Sequence, residues 1–125
     1  MPGLTPFDQH RYVSLATFRR SAAEVRTPVW FAASGDRLYV FTAADSGKLK
    51  RLRHSSRARI APSDMRGNIQ GDWREVTAHI VTDPATIQRA HAAMGAKYGW
   101  QLRLTDLGSR LTGRIRHRAW IEIQG

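Results

Sequence analysis

Apolar and polar positions alternate along six short stretches of this 125-residue chain. Tyr12–Phe18 (YVSLATF), Arg37–Thr42 (RLYVFT) and Arg116–Ile123 (RHRAWIEI) alternate clearly and are rich in β-formers, the pattern of half-buried strands. Val25–Ala33, Arg57–Ser63 and Trp73–Thr82 read the same way. Pro28 within the second stretch points to an edge, or to a position whose N–H is not needed. Ser34-Gly35-Asp36 supplies hairpin chemistry, Arg19–Ala23 a turn, and Asp64–Asp72, with Gly67 and Gly71, a loop.

Helical spacing is confined to three places. Thr5-Pro6-Phe7-Asp8 forms a capped start for a short helix to about Gln9 or His10. Ser46–His54 carries a narrow apolar stripe from Leu49 and Leu52. Asp83-Pro84 is an N-cap with proline at the first position, and Ile87, Ala90, His91, Met94 and Tyr98 follow at spacing that packs a helix on the core. Trp100–Gly113 reads as an irregular linker with at most one helical turn. Six strands, short hairpins and two or three short helices predict a single domain over residues 1–125: a mainly β, six-stranded antiparallel barrel rather than a βαβ sheet.

Charge changes the picture more than composition does. Twenty Lys and Arg against ten Asp and Glu leave a formal net charge of +10, an excess that draws polyanions. Most of these residues are expected to be solvated; the functional question is whether a few converge. The chain has no cysteine, which removes disulfides, thiolate nucleophiles and cysteine metal sites and fits a reducing compartment. The N-terminus has no apolar core behind a basic start, and no apolar run approaches the roughly eighteen residues of a membrane span. The expectation is a cytoplasmic protein that does not engage a membrane.

The convergence falls at Ser46-Gly47-Lys48-Leu49-Lys50-Arg51. A helix N-terminus carries partial positive charge and disfavours cations. A first turn this basic makes sense where an anion docks, since free backbone N–H groups and lysines together form a phosphate site. It is not a P-loop: residue 42 is Thr where that motif needs Gly, and Leu follows the lysine. The five histidines form no metal-ligand pair. There is no G-x-S-x-G and no G-x-G-x-x-G. No catalytic residue is assigned. Chemistry, where present, would belong to a cofactor that the protein positions.

Taken in order, YVSLATF, TPVWF, a glycine turn, RLYVFT, SGKLKRLR, an R-x-R strand and GDWREVTAHIVTDP resemble the FMN-binding split-barrel superfamily of pyridoxamine-phosphate-oxidase-like proteins. The branch they resemble more closely is the small PPOX-class oxidoreductases dependent on coenzyme F420, a deazaflavin. The resemblance spans residues 12–123. It implies a homodimer with the cofactor at the subunit interface and a small organic molecule as substrate. The ring would lie against Thr27, Pro28, Val29 and Trp30, and the phosphate near Ser46, Lys48, Lys50 and Arg51. Trp73 would approach the ring across the dimer. Flavin-binding relatives carry an Arg where this chain has Gly47, so a phosphate clamp of the FMN type is missing.

Three functions follow. The first is an F420-dependent oxidoreductase that transfers a hydride. The second keeps the fold and holds FMN, or a flavin-like or tetrapyrrole molecule, with or without turnover. The third is a small basic β-barrel that binds nucleic acid through Tyr39, Phe41, Trp120 and basic runs such as Arg110–Arg118. Against the third, those aromatics alternate with apolar residues as core positions do.

Overall fold

The computed structural model describes Leu4, Phe7, residues 9–43, 46–112 and 118–125; the side chains of residues 109–112 are not described. Seven strands and three helices follow in the order β1 (Tyr12–Phe18), β2 (Glu24–Trp30), β3 (Ala32–Ser34), β4 (Arg37–Ala43), α1 (Gly47–His54), β5 (Arg57–Ser63), β6 (Arg74–Val81), α2 (Pro84–Tyr98), α3 (Trp100–Thr112) and β7 (Arg118–Gln124).

All seven strands form one sheet in the order β2-β1-β5-β6-β7-β4-β3, and every pairing is antiparallel. The two edge strands, β2 and β3, are consecutive in the chain and separated only by Phe31. The sheet therefore curls until its edges meet at one residue, which gives a barrel open along a seam between β2 and β4. Curling brings the two sheet edges together instead of leaving them at opposite ends of an open sheet.

Two apolar clusters lie on the two faces of this sheet. Val13, Leu15, Val29, Leu38, Val40, Ile60, Ala78, Ile121 and Ile123 fill the barrel, and α1 closes it with Leu49 and Leu52. Outside, α2 and α3 pack Ala90, Met94, Tyr98 and Leu102 on Ala32, Tyr39 and Trp120. The alternation read from the sequence is this inside–outside division: along β4, Leu38 and Val40 face in while Tyr39 faces the helices.

The structure differs from the sequence expectations in three places. The stretch 25–33 is two strands, so the sheet has seven rather than six. The cause is Tyr98, whose hydroxyl accepts the Phe31 N–H at 3.1 Å and lies 2.8 Å from the Phe31 carbonyl oxygen, which takes Phe31 out of the ladder. Trp100–Gly113 is not a linker: Trp100–Thr112 forms α3, anchored by buried Leu102. His91 is exposed rather than packed on the core. Its Nε2 lies 2.8 Å from Asp106 Oδ2 on α3, and the ring edge meets Trp120. At the N-terminus, Thr5, Pro6 and Asp8 lie outside the described residues; Phe7 N–H to Leu4 and His10 N–H to Phe7, both 3.0 Å, form tight turns. No helix among the described residues is long and apolar enough to cross a membrane.

Candidate functional site

The seam between β2 and β4 opens into a cleft of about 410 Å³. Pro28, Val29 and Trp30 of β2 form one wall, and Phe41 and Thr42 of β4 form the other. Tyr12 of β1 lies opposite Trp30 in the ladder and joins the first wall. Lys48 of α1 and Thr105 of α3 also line the space. Its volume and its mixture of aromatic walls with a few polar groups fall in the range of small-molecule sites.

Trp30 is held from behind. Its ring stacks on Tyr98 at 4.5 Å and 8°. The Tyr98 hydroxyl also lies 2.7 Å from the Arg11 carbonyl oxygen. A phenol carries one proton, so the hydroxyl donates to one of the two nearby carbonyls while accepting from Phe31. The wall is thus braced by the C-terminal turn of α2, and Gly99 (φ 58°) lets the chain turn at once into α3.

Lys48 is half-buried. Burial first, and the charge of Arg51 second, hold its ammonium below the ordinary lysine range. Among the described residues no carboxylate pairs with it. Ser46 takes the N-cap position of α1 but its side chain caps nothing. The Ser46 and Thr27 hydroxyl oxygens are both buried without a hydrogen-bond partner among the described residues. An unmet buried hydroxyl costs about 1–3 kcal/mol, a cost that ligand groups at these positions would offset.

The residues singled out in the sequence therefore separate. Pro28, Val29, Trp30 and Lys48 line the cleft together. Thr27 shares the inward set with Val29, and Ser46 precedes the cleft lysine by two residues. Lys50 and Arg51 line a different recess, beside Phe18, Arg19, Arg20 and His54. Trp73 is not in the cleft lining: the Arg26 and Arg59 guanidiniums lie 4.5 and 4.9 Å from its ring centroid. Glu24 accepts hydrogen bonds from both arginines. Phe41 lies under the Arg118 guanidinium at 4.2 Å. In the basic run 110–118, residues 113–117 lie outside the described residues; Arg118 bonds Asp106 at 2.8 Å.

Four lining residues, Tyr12, Phe41, Thr42 and Thr105, were not singled out as cofactor residues from the sequence. Tyr12, Phe41 and Thr42 sit inside well-read strands, where alternation gives facing but not which strand ends meet across the seam. Thr105 lies on the helix that the sequence reading missed.

No family model matches the chain, and no curated protein matches it in sequence. Solved structures do match over nearly the whole length. The heme storage protein HutZ from Vibrio cholerae superposes with a TM-score of 0.68 at 16% identity, covering 98% of this chain and 90% of that one. An FAD-binding protein from Mesorhizobium loti gives 0.60 at 18%, covering 94% and 80%. An F420 reductase gives 0.61 at 14%, covering 99% and 94%. At these identities the likeness establishes the fold: the chain is a split barrel of the architecture these proteins share. Their names point to three different ligands on one fold, so the ligand of this chain has to be argued from its own site.

Proposed function

We propose that the seam cleft binds a planar, phosphate-bearing cofactor of the flavin type, and that coenzyme F420 is that cofactor. The observation that carries this reading is the pairing of aromatic walls with Lys48 in one cleft. A flat ring fits between the Pro28–Trp30 wall and Phe41. Lys48, half-buried and without a described carboxylate partner, suits a phosphate. Ser46 and Thr27 offer unmatched hydroxyls nearby. The likeness to an F420 reductase and an FAD-binding protein supports a ligand of this class.

When bound, a deazaflavin supplies two-electron hydride transfer to a small organic substrate. The chain's residues hold the ring, exclude water from it and neutralise its phosphate. Trp30, fixed by Tyr98, keeps the wall planar. Thr42, Thr105 and Tyr12 supply hydroxyls that orient polar edges of ring or substrate. A homodimer that completes the cleft with a second copy belongs to the same proposal, as does a cytoplasmic location. FMN is the second reading, disfavoured by the glycine at position 47. A heme is disfavoured by the cleft lining, which offers the iron no histidine or methionine among the described residues.

Fluorescence titration with F420, FMN and heme separates these readings. Saturable binding of F420 alone is the expected result. A response to FMN or heme alone moves the assignment to that ligand, and no response to any of the three removes the cofactor reading.

A further inference from the structure

Beside α1, and not lined by Lys48, lies a second recess of about 280 Å³. Its cations come from two elements: Lys50 and Arg51 from α1, with His54 at the helix end, and Arg19 and Arg20 from the hairpin between β1 and β2. Among the described residues no carboxylate lines it. Among the described residues Arg19, Arg20, Lys50 and Arg51 form no ion pair. Ten carboxylates are available to twenty basic residues in the chain, and Glu24, Glu75, Asp106 and Glu122 are spent on Arg26, Arg37, Arg57, Arg59 and Arg118. Arg19, Arg20, Lys50 and Arg51 thus meet here without a carboxylate partner among the described residues.

The recess is built rather than a chance meeting of mobile side chains. Arg51 Nε donates to Thr17 Oγ1 at 2.6 Å, and Thr17 is fully buried. A Cβ added at Gly47 would lie 2.7 Å from an Arg51 η nitrogen. The glycine is what lets the guanidinium fold back over the first turn of its own helix. Burial, with the like charge of Arg19, holds Arg51 below the ordinary arginine range. The hairpin is fixed too: Ala22 takes φ 69°, and Ala22 N–H donates to the Arg19 carbonyl at 2.8 Å. A non-glycine residue in that region stores backbone strain.

We propose that this recess is a second anion site, separate from the seam cleft, that takes a phosphate ligand of at least two negative charges, in the class of a diphosphate group. Planar guanidiniums grip phosphate oxygens through paired N–H groups, and a lysine adds a point charge. The space admits one or two phosphoryl groups and excludes a duplex. The site does not depend on what the seam cleft holds.

The probe is inorganic diphosphate, titrated calorimetrically into the full chain at about 150 mM salt, where weak surface pairing is screened. One saturable site is expected. The double substitution Arg19→Gln with Lys50→Gln, both at exposed positions, should weaken it about tenfold or more. Gly47→Ala should weaken it as well by displacing the Arg51 guanidinium, with the melting temperature retained. Lys48→Gln should leave it within about twofold. The proposal is overturned by no saturable heat, by binding indifferent to the double substitution, or by a loss in Lys48→Gln as large as in the double variant. Tighter binding of a short oligoglutamate than of diphosphate would overturn the phosphate assignment. Displacement of diphosphate by single-stranded oligonucleotide at the same salt would reassign the recess to nucleic acid. F420 fluorescence, followed in the same variants, reports the cleft independently, so failure of one site is distinguishable from failure of the other.

Discussion

The two spaces beside α1 use the same kind of residue in different ways. On the cleft side a single lysine, Lys48, stands beside Pro28, Trp30 and Phe41. On the hairpin side Arg19, Arg20, Lys50 and Arg51 crowd one recess with Phe18. The first suits a flat ligand with one anionic end, the second a compact and highly charged one. The lesson is that a basic run has no meaning as a run. Successive residues on a helix point about 100° apart, so Lys48 lines one space and Lys50 and Arg51 another, while Leu49 and Leu52 face the barrel core.

The largest way to break this comparison is to loosen one side only. Asp106 ties α3, and with it Thr105 of the cleft, to β7 through Arg118 at 2.8 Å and to α2 through His91 at 2.8 Å. Asp106→Ala removes the carboxylate that accepts from both the nearly buried Arg118 and His91, and is expected to cost about 1–3 kcal/mol. Denaturant melts should record that loss, while diphosphate binding in the hairpin recess should be unchanged.

The same carboxylate gives a pH signature. Burial raises its pKa, but the hydrogen bonds and charges of Arg118 and His91 outweigh that, and the net shift is downward. A depressed carboxylate contributes stability above its unfolded pKa and loses it as pH falls through the folded value. Acid melts of the wild type should therefore lose stability below the usual Asp range, and Asp106→Asn should flatten that part of the curve.

Next in size is Lys48. Lys48→Ala should weaken cofactor binding by about 1.5–3 kcal/mol, on the order of 10–150-fold, and leave the recess alone. Because its ammonium is held below the ordinary lysine range by burial and Arg51, cofactor affinity should decline with rising pH before 10.5 is reached. A profile flat through that window would take Lys48 out of the phosphate contact.

Tyr98→Phe is a subtler probe. It removes the hydroxyl partner of Phe31 while keeping the stack on Trp30, and is expected to cost about 1–2 kcal/mol of stability, with the β2/β3 corner exchanging amide protons faster. The smallest effect belongs to Gly47→Ala. The obstructed atom is the end of a flexible side chain, so stability should stay within about 0.5 kcal/mol, and only the recess should change.

The strands were legible because each has one face in the barrel and one outside it. β1 and β5 match the sequence reading residue for residue. What escaped was decided by distant partners. Nothing in TPVWFAAS announces that Phe31 leaves the ladder, because the group that takes its N–H is 67 residues away. α3 was hidden by Gly99, a helix stop directly before Trp100, and by a leucine pattern in which Leu102 is buried while Leu104 and Leu107 are exposed. His91 has the spacing of a core residue but lies at the edge of the helix face, where Asp106 draws it outward. Of the candidate site, the sequence indicated a strand and a basic helix. Which lysine faces which space depended on the placement of α1 across the barrel end.

The central claim is that the seam cleft holds a deazaflavin by its phosphate at Lys48. A paired F420 fluorescence titration of the wild type and Lys48→Ala tests it most directly. Saturable single-site binding is expected of the wild type, weakened about 10–150-fold in the variant. No saturable response in the wild type, or equal affinity in the two proteins, would contradict it.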